Sequence, residues 1–182
     1  FQRLENVTRL NLDENSLAEI EGFAFADLTN LKELEIEFNV LQNISRYTFA
    51  GLQNLLTLNL FCNTIAEIEP DSFAHLTSLT SLDLNSNRIK TVSKQTFTGL
   101  RKLHELSIDN NSLSELEPNL FANLTRLTSL DLSNNRIKMI SKQTFNGLKR
   151  LQYLYLQTNN IAEIENGAFH ELSSLKMILL NL

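Results

Sequence analysis

Cysteine is nearly absent: Cys62 stands alone, and a single thiol excludes an internal disulfide. Two prolines and five glycines leave no linker or low-complexity stretch to divide the 182 residues. No apolar run approaches the ~18 residues of a membrane-spanning helix. No charged-then-apolar leader with a small-residue cleavage site opens the sequence. Positive charge is also short, with 16 Lys and Arg against 21 Asp and Glu and a formal net charge of −5. That balance argues against a nucleic-acid phosphate backbone as partner. One uninterrupted domain is the simplest expectation, without membrane insertion by this segment.

What the chain has in quantity is itself. Residues 79–100 and 127–148 agree at 17 of 22 positions, offset by 48. Self-similarity of this kind is sought before secondary structure. With Val7, Leu31, Leu55, Leu79, Leu103, Leu127, Leu151 and Leu175 as position 1, the chain divides into repeats of 24 residues. The complete repeats, numbered as coils 1 to 7, are 7–30, 31–54, 55–78, 79–102, 103–126, 127–150 and 151–174, with partial repeats at 1–6 and 175–182. Position 4 is Leu except at Ile178, and position 6 is Leu or Ile. Position 9 is Asn throughout: Asn15, Asn39, Asn63, Asn87, Asn111, Asn135 and Asn159. Position 19 is always Phe, from Phe25 to Phe169, and position 22 is always Leu.

Each column has a physical reason. Apolar residues at positions 4 and 6 between polar neighbours follow the period of a strand with one buried face. Repeats stacked in register would pair those strands into a parallel sheet, ~4.8 Å apart. The position-9 Asn carries donors and an acceptor, suited to turn backbone groups in its own and the next coil. Phe and Leu at positions 19 and 22 fill the far side of the core. No coil can bury these residues alone, so stability comes from stacking on neighbours. No polar cap is visible at either end, and the expectation is a piece of a longer solenoid, continuing into further repeats or caps.

The 48-residue echo is a second period. Position 13 reads Glu19, Asn43, Glu67, Thr91, Glu115, Met139, Glu163, and position 15 reads Glu21, Ser45, Glu69, Ser93, Glu117, Ser141, Glu165. The intervening coils carry Arg46, Lys94 and Lys142 at position 16, with Lys90 and Lys138 at position 12. Acidic coils (1, 3, 5, 7) thus alternate with basic ones (2, 4, 6). Columns of like charge ~5 Å apart would repel, and alternation removes that repulsion while adding surface ion pairs worth ~0–1 kcal/mol each.

Positions 3, 5 and 7 are expected to point to solvent from the sheet. They hold eight acids (Asp13, Glu33, Glu35, Glu37, Asp83, Glu105, Asp109, Asp131) and one base, Arg9. A surface of one sign steers a partner of the other. Asn59 shares this face, and so do Phe61, Tyr153 and Tyr155, residues of the kind that anchor protein interfaces. These twelve are the candidate ligand-binding residues. The bland alternative is a solvated polar face.

Other constellations are weaker. Glu33 and Glu35 stand ~7 Å apart, a separation that inverting glycosidases use, but on an open face that gives no reason for an acid and a base to differ. His75, His104 and His170 fall in coils too far apart to share a metal, so no metal or cofactor is expected. Cys62, at position 8, reads either as a small half-buried residue or as a thiol for an intermolecular partner. Sequons at Asn6, Asn43, Asn110 and Asn123 permit glycosylation, in about the number chance provides.

The unit L-x-x-L-x-L-x-x-N, with Phe at 19 and Leu at 22, is the leucine-rich-repeat signature across the whole chain. With residues such as "LDLSNNRIKMISKQTFNGLKRLQYLYLQTNNIAEIENGAF" (130–169), it resembles the typical extracellular class, among them Toll-like receptor ectodomains and insect secreted immune proteins. The resemblance implies an α/β-type solenoid: a horseshoe with a parallel β-sheet on the concave face and a mostly irregular convex side. It implies a secreted or cell-surface glycoprotein that binds protein or pathogen-derived ligands without catalysis, in innate immunity, adhesion or as a receptor ectodomain. The cysteine-rich caps of that class are missing, which leaves room for an intracellular or bacterial scaffold. An accessory or inhibitory subunit holding an enzyme on another chain is a further alternative.

Overall fold

Short strands form where the leucines of positions 4 and 6 alternate with polar residues. The structure is a computed structural model describing residues 4–181; Phe1, expected at position 19, and Leu182, at position 8, lie outside it. In chain order the strands are β1 (Arg9–Asn11), β2 (Glu33–Glu35), β3 (Asn43–Ile44), β4 (Thr57–Asn59), β5 (Glu67–Ile68) and β6 (Ser81–Asp83). They continue with β7 (Glu105–Ser107), β8 (Ser129–Asp131), β9 (Met139–Ile140), β10 (Tyr153–Tyr155), β11 (Glu163–Ile164) and β12 (Met177–Leu179). Eight of them make one parallel sheet in the order β1-β2-β4-β6-β7-β8-β10-β12. Neighbours are offset by one repeat, so Leu10 faces Leu34, Leu34 faces Leu58 and Leu154 faces Ile178. The chain is a solenoid of the horseshoe type, and its returning segments are turns, irregular stretches and four two-residue strands among the described residues.

The core is a set of columns. Positions 1, 4, 6, 11, 19 and 22 are fully buried in the interior coils, as with Leu79, Leu82, Leu84, Ile89, Phe97 and Leu100. Each such side chain contributes about 1.5–3 kcal/mol of transfer free energy, and the neighbouring coil completes its burial. In coil 1 the equivalents Leu10, Leu12 and Leu17 stay partly exposed. The phenylalanines stack along the far side, with ring centroids 5.9 Å apart for Phe49 and Phe73, Phe97 and Phe121, and Phe145 and Phe169.

The position-9 asparagines tie each coil to the one before it, where the next had been expected. Asn111 Nδ2 donates to Leu84 O of the preceding coil at 3.0 Å and to its own Ile108 O and Asp109 O at 3.2 and 3.0 Å. Its Oδ1 accepts from Ile89 N at 2.9 Å. Asn39, Asn63, Asn87, Asn135 and Asn159 repeat the pattern. Among the described residues Asn15 bonds only to its own coil, through Leu12 O and Asp13 O.

The acidic and basic coils differ in backbone as well as charge. In acidic coils position 17 is left-handed, at Phe23 (φ 65°), Asp71 (φ 63°), Asn119 (φ 62°) and Gly167 (φ 83°). In basic coils the left-handed residue is the position-21 glycine: Gly51, Gly99 and Gly147. A Cβ on Gly99 would stand 2.6 Å from Ala74 O of the preceding coil, so this glycine permits a close approach of two backbones. Acidic coils 1, 3 and 5 also donate the position-17 N–H to the following basic coil, as Asp71 N does to Gln95 O at 3.1 Å.

The glutamates of position 15 complete the alternation. Carboxylate oxygens of Glu69, Glu117 and Glu165 accept the backbone N–H of Arg46, Lys94 and Lys142 at 3.1, 3.1 and 2.8 Å. Only Arg46 adds a side-chain ion pair, to Glu69 at 3.5 Å. The expected ion pairs are thus mostly charge-assisted bonds to backbone, about twice as strong as neutral ones.

The convex side carries two small sheets, β3 with β5 and β9 with β11. Each joins a basic coil to the acidic coil after it, through isoleucines at position 14. Coils 4 and 5 have Val92 and Leu116 there and form no such pair. An open cleft of about 490 Å³ lies at this break, lined by Val92, Leu116, Pro118 and Met139 among others.

Candidate protein-binding face

The strand period sends positions 3, 5 and 7 out of the sheet, and the candidate residues stand there together. Most are half-buried, since side chains of adjacent coils cover each other, and many are bonded among themselves. Position 5 folds back on its own backbone: Asn11, Asn59, Asp83 and Asp131 accept the N–H of Asp13, Phe61, Asn85 and Ser133 at 2.8–3.0 Å. These are Asx turns, and they end the strand.

The face falls into two groups. At the first coils, Arg9 reaches Glu33 at 3.3 Å and Glu35 at 2.7 Å. Asn11 donates to Glu35 and to Asp13, Asp13 accepts from Glu37 N at 2.6 Å, and Asn59 donates to Glu37. The three glutamates expected to stand free in solvent are partners in this network.

The second group has no base. Asp83, Glu105, Asp131 and Tyr155, with Ser81, Ser107 and Ser129, line a depression of about 310 Å³ on coils 4 to 7. Asp109 stands at its margin and accepts from Ser107 Oγ at 2.6 Å. Glu105 is exposed, and its carboxylate forms no hydrogen bond or ion pair among the described residues. Burial raises Asp83 above the ordinary carboxylate range, and Asp109 and Asp131 add repulsion against the lowering effect of the Asn85 N–H. Burial likewise raises Asp109, with Asp131 adding to it and the Ser107 hydroxyl opposing. Glu37 is raised by burial and then by Asp13, Glu35 and Asp83. Its carboxyl couples the two groups.

Tyr153 projects further out, while Phe61 turns to the flank, edge-on to Phe38 with centroids 5.2 Å apart. Sequence reasoning passed over Phe38. The available signal was its column, where Glu14, Cys62, Ser86, Asn110, Asn134 and Thr158 are the other members in the complete coils. Cys62 is half-buried. Asn6, Asn43, Asn110 and Asn123 are all exposed, and Asn110 Nδ2 is engaged with Ser86 Oγ at 2.9 Å. Among the described residues no group of three or more His, Cys, Asp or Glu is placed to hold a metal ion.

A family profile described as "Leucine rich repeat" matches residues 1–41, 29–89, 77–137 and 125–181. Among solved structures, the TLR13–ssRNA13 complex is similar at 27% identity and a TM-score of 0.83, over 96% of this chain and 27% of that one. Internalin C2 from Listeria monocytogenes is similar at 30% identity and a TM-score of 0.75, over 98% of this chain and 73% of that one. The chain therefore spans about a quarter of the length of the first of these. No curated protein matches.

Proposed function

The chain belongs to the leucine-rich-repeat family, and on that premise we propose that it is a non-catalytic recognition module whose concave face binds a protein with a basic patch. One observation carries the reading: the depression on coils 4 to 7 holds carboxylates with no base among them, and burial and repulsion raise Asp83 within it and Asp109 at its margin. A lysine or arginine placed there would relieve repulsion that the fold alone leaves in place.

Two other readings each have an observation behind them. The likeness to a receptor solved with single-stranded RNA brings a nucleic-acid ligand forward; the acidic face opposes a polyanion. The likeness to a Listeria internalin brings a bacterial scaffold forward. We place the chain outside the cell or at its surface, in line with the extracellular class it resembles. Glycan on the exposed Asn43 or Asn123 of natural material supports that placement, and unmodified peptides covering both count against it.

The test immobilises the chain and its Glu105→Lys variant. Extracellular fluid, cytosol and single-stranded RNA are passed over both at low and moderate salt. Retention of a basic protein by the parent, weakened in the variant and by salt, is the expected result. Retention of RNA, or of the same proteins by both forms, overturns it.

A further inference from the structure

Position 8 is left-handed in all seven coils, with φ between 50° and 56° from Glu14 to Thr158. That conformation suits glycine and asparagine and disfavours bulky side chains. Coil 2 nevertheless places Phe38 there, with 47% of its surface exposed. Neither backbone preference nor burial accounts for this residue. The ring is held in place all the same: it meets Phe61 edge-on, with centroids 5.2 Å apart and planes at 87°. Val40, two residues on, is 42% exposed. Acids border the patch, with Glu37 next in the chain and Glu14 exposed one coil earlier in the same column.

We propose that Phe38, supported by Phe61 and flanked by Val40, is the anchor for a partner segment that joins a large apolar side chain to lysine or arginine. The charge of the partner rests on the reading of the concave face given above; the apolar anchor stands on its own geometry. A ring already fixed by a neighbour gains affinity because little of its freedom remains to be lost on binding. The bordering carboxylates select a basic segment and repel an anionic lipid surface or nucleic acid.

The test selects a library of short random peptides on the chain and measures the consensus peptide against Phe38→Asn, Phe38→Tyr and Glu105→Lys. The consensus should pair Lys or Arg with a large apolar residue. Phe38→Asn should weaken its binding by roughly tenfold or more, while thermal stability holds or rises, because asparagine suits the backbone there. Phe38→Tyr should keep most of the binding. A residue with a merely structural role would instead lose stability in Phe38→Asn. An absent, acidic or purely polar consensus, or equal binding by Phe38→Asn, overturns the anchor. A consensus lost with Phe38→Asn but indifferent to Glu105→Lys keeps the anchor and removes the concave-face reading. The reverse pattern removes the anchor alone.

Discussion

Coils 1 to 3 and coils 4 to 7 share one backbone but present different surfaces. In the later coils most left-handed positions hold residues that tolerate them, such as Asn110, Asn119, Asn134 and Gly167, with Ser86 and Thr158 as the exceptions. In the early coils two of the same positions hold Phe38 and Phe23, the latter stacked on Tyr47 at 5.1 Å. The acids differ in the same way: early carboxylates gather around Arg9, while those of the later depression have no base. The later coils mostly satisfy the backbone, Thr158 aside, and leave their charge without a base. The early coils pair part of their charge with Arg9 and accept large side chains at left-handed positions. Where a local preference is overridden without burial in return, a role outside the fold is the physical explanation that remains.

The two ends of the ladder offer the largest test. Asn111→Ala removes three donated bonds and strands the buried Ile89 N–H, while Leu84 O keeps the bond from Asn87 Nδ2, so a loss of about 3–5 kcal/mol is expected. Asn15→Ala, at the exposed first coil, should cost under about 1 kcal/mol. Chemical denaturation of both variants measures the gap, and equal losses would show that the ladder bonds are not what holds coil to coil.

Two glycines of the later coils separate strain from crowding. Gly147 and Gly167 have the same φ of 83°, but a Cβ on Gly147 would lie 2.7 Å from Ala122 O, and one on Gly167 meets nothing within 4 Å. Gly167→Ala should cost about 1 kcal/mol from conformation alone. Gly147→Ala should cost about 3 kcal/mol or more, because a backbone must move. Thermal melts showing the same loss for both would sink the close-approach argument.

A reciprocal exchange addresses the aromatic contrast directly. Phe38→Asn should stabilise by about 0.5–1 kcal/mol, and Asn134→Phe should destabilise by about 1 kcal/mol. Opposite signs sharpen the front-to-back difference; a loss in both would make Phe38 a structural residue.

The smallest effect is in the charges. Asp83→Asn keeps the oxygen that accepts Asn85 N–H and removes the charge. Because burial raises the Asp83 carboxyl, the folded chain holds that proton more tightly than the unfolded one. The parent's stability from this group is full below the unfolded pKa and is lost as pH rises through the folded one. The variant should therefore match the parent in acid and exceed it at neutral pH. Glu35→Gln, in the Arg9 network, should lose under about 1 kcal/mol at neutral pH. Parallel stability curves for Asp83→Asn and parent across that range would remove the repulsion argument.

The sheet was legible because burial follows the columns without exception in the interior coils. Leucine at positions 4 and 6 could be buried on one face only, so strand, register and stacking came together. The acidic face was legible for the same reason. Its internal bonding was not, since Asn59, Asp83 and Asp131 turn back to their own chain, a choice that depends on distances of a few tenths of an ångström. Alternating charge was visible in the sequence, but the capping of backbone by Glu117 and Glu165 was not. The convex break had a readable sign in Val92 and Leu116, whose meaning needed the missing strand pair beside it.

The caps and close glycines impose parity on the length of this solenoid. If residues 79–102 were excised, coil 3 would meet coil 5. Glu117 would then face Pro70, which has no N–H to give, and Ala74 would meet the side chain of Asn123 where Gly99 had stood. Excision of 79–126 instead sets Ala74 against Gly147, and every interface keeps its kind. Such a chain can be shortened or lengthened by coils in twos and resists change by one, which makes the 48-residue pair the heritable unit of the architecture.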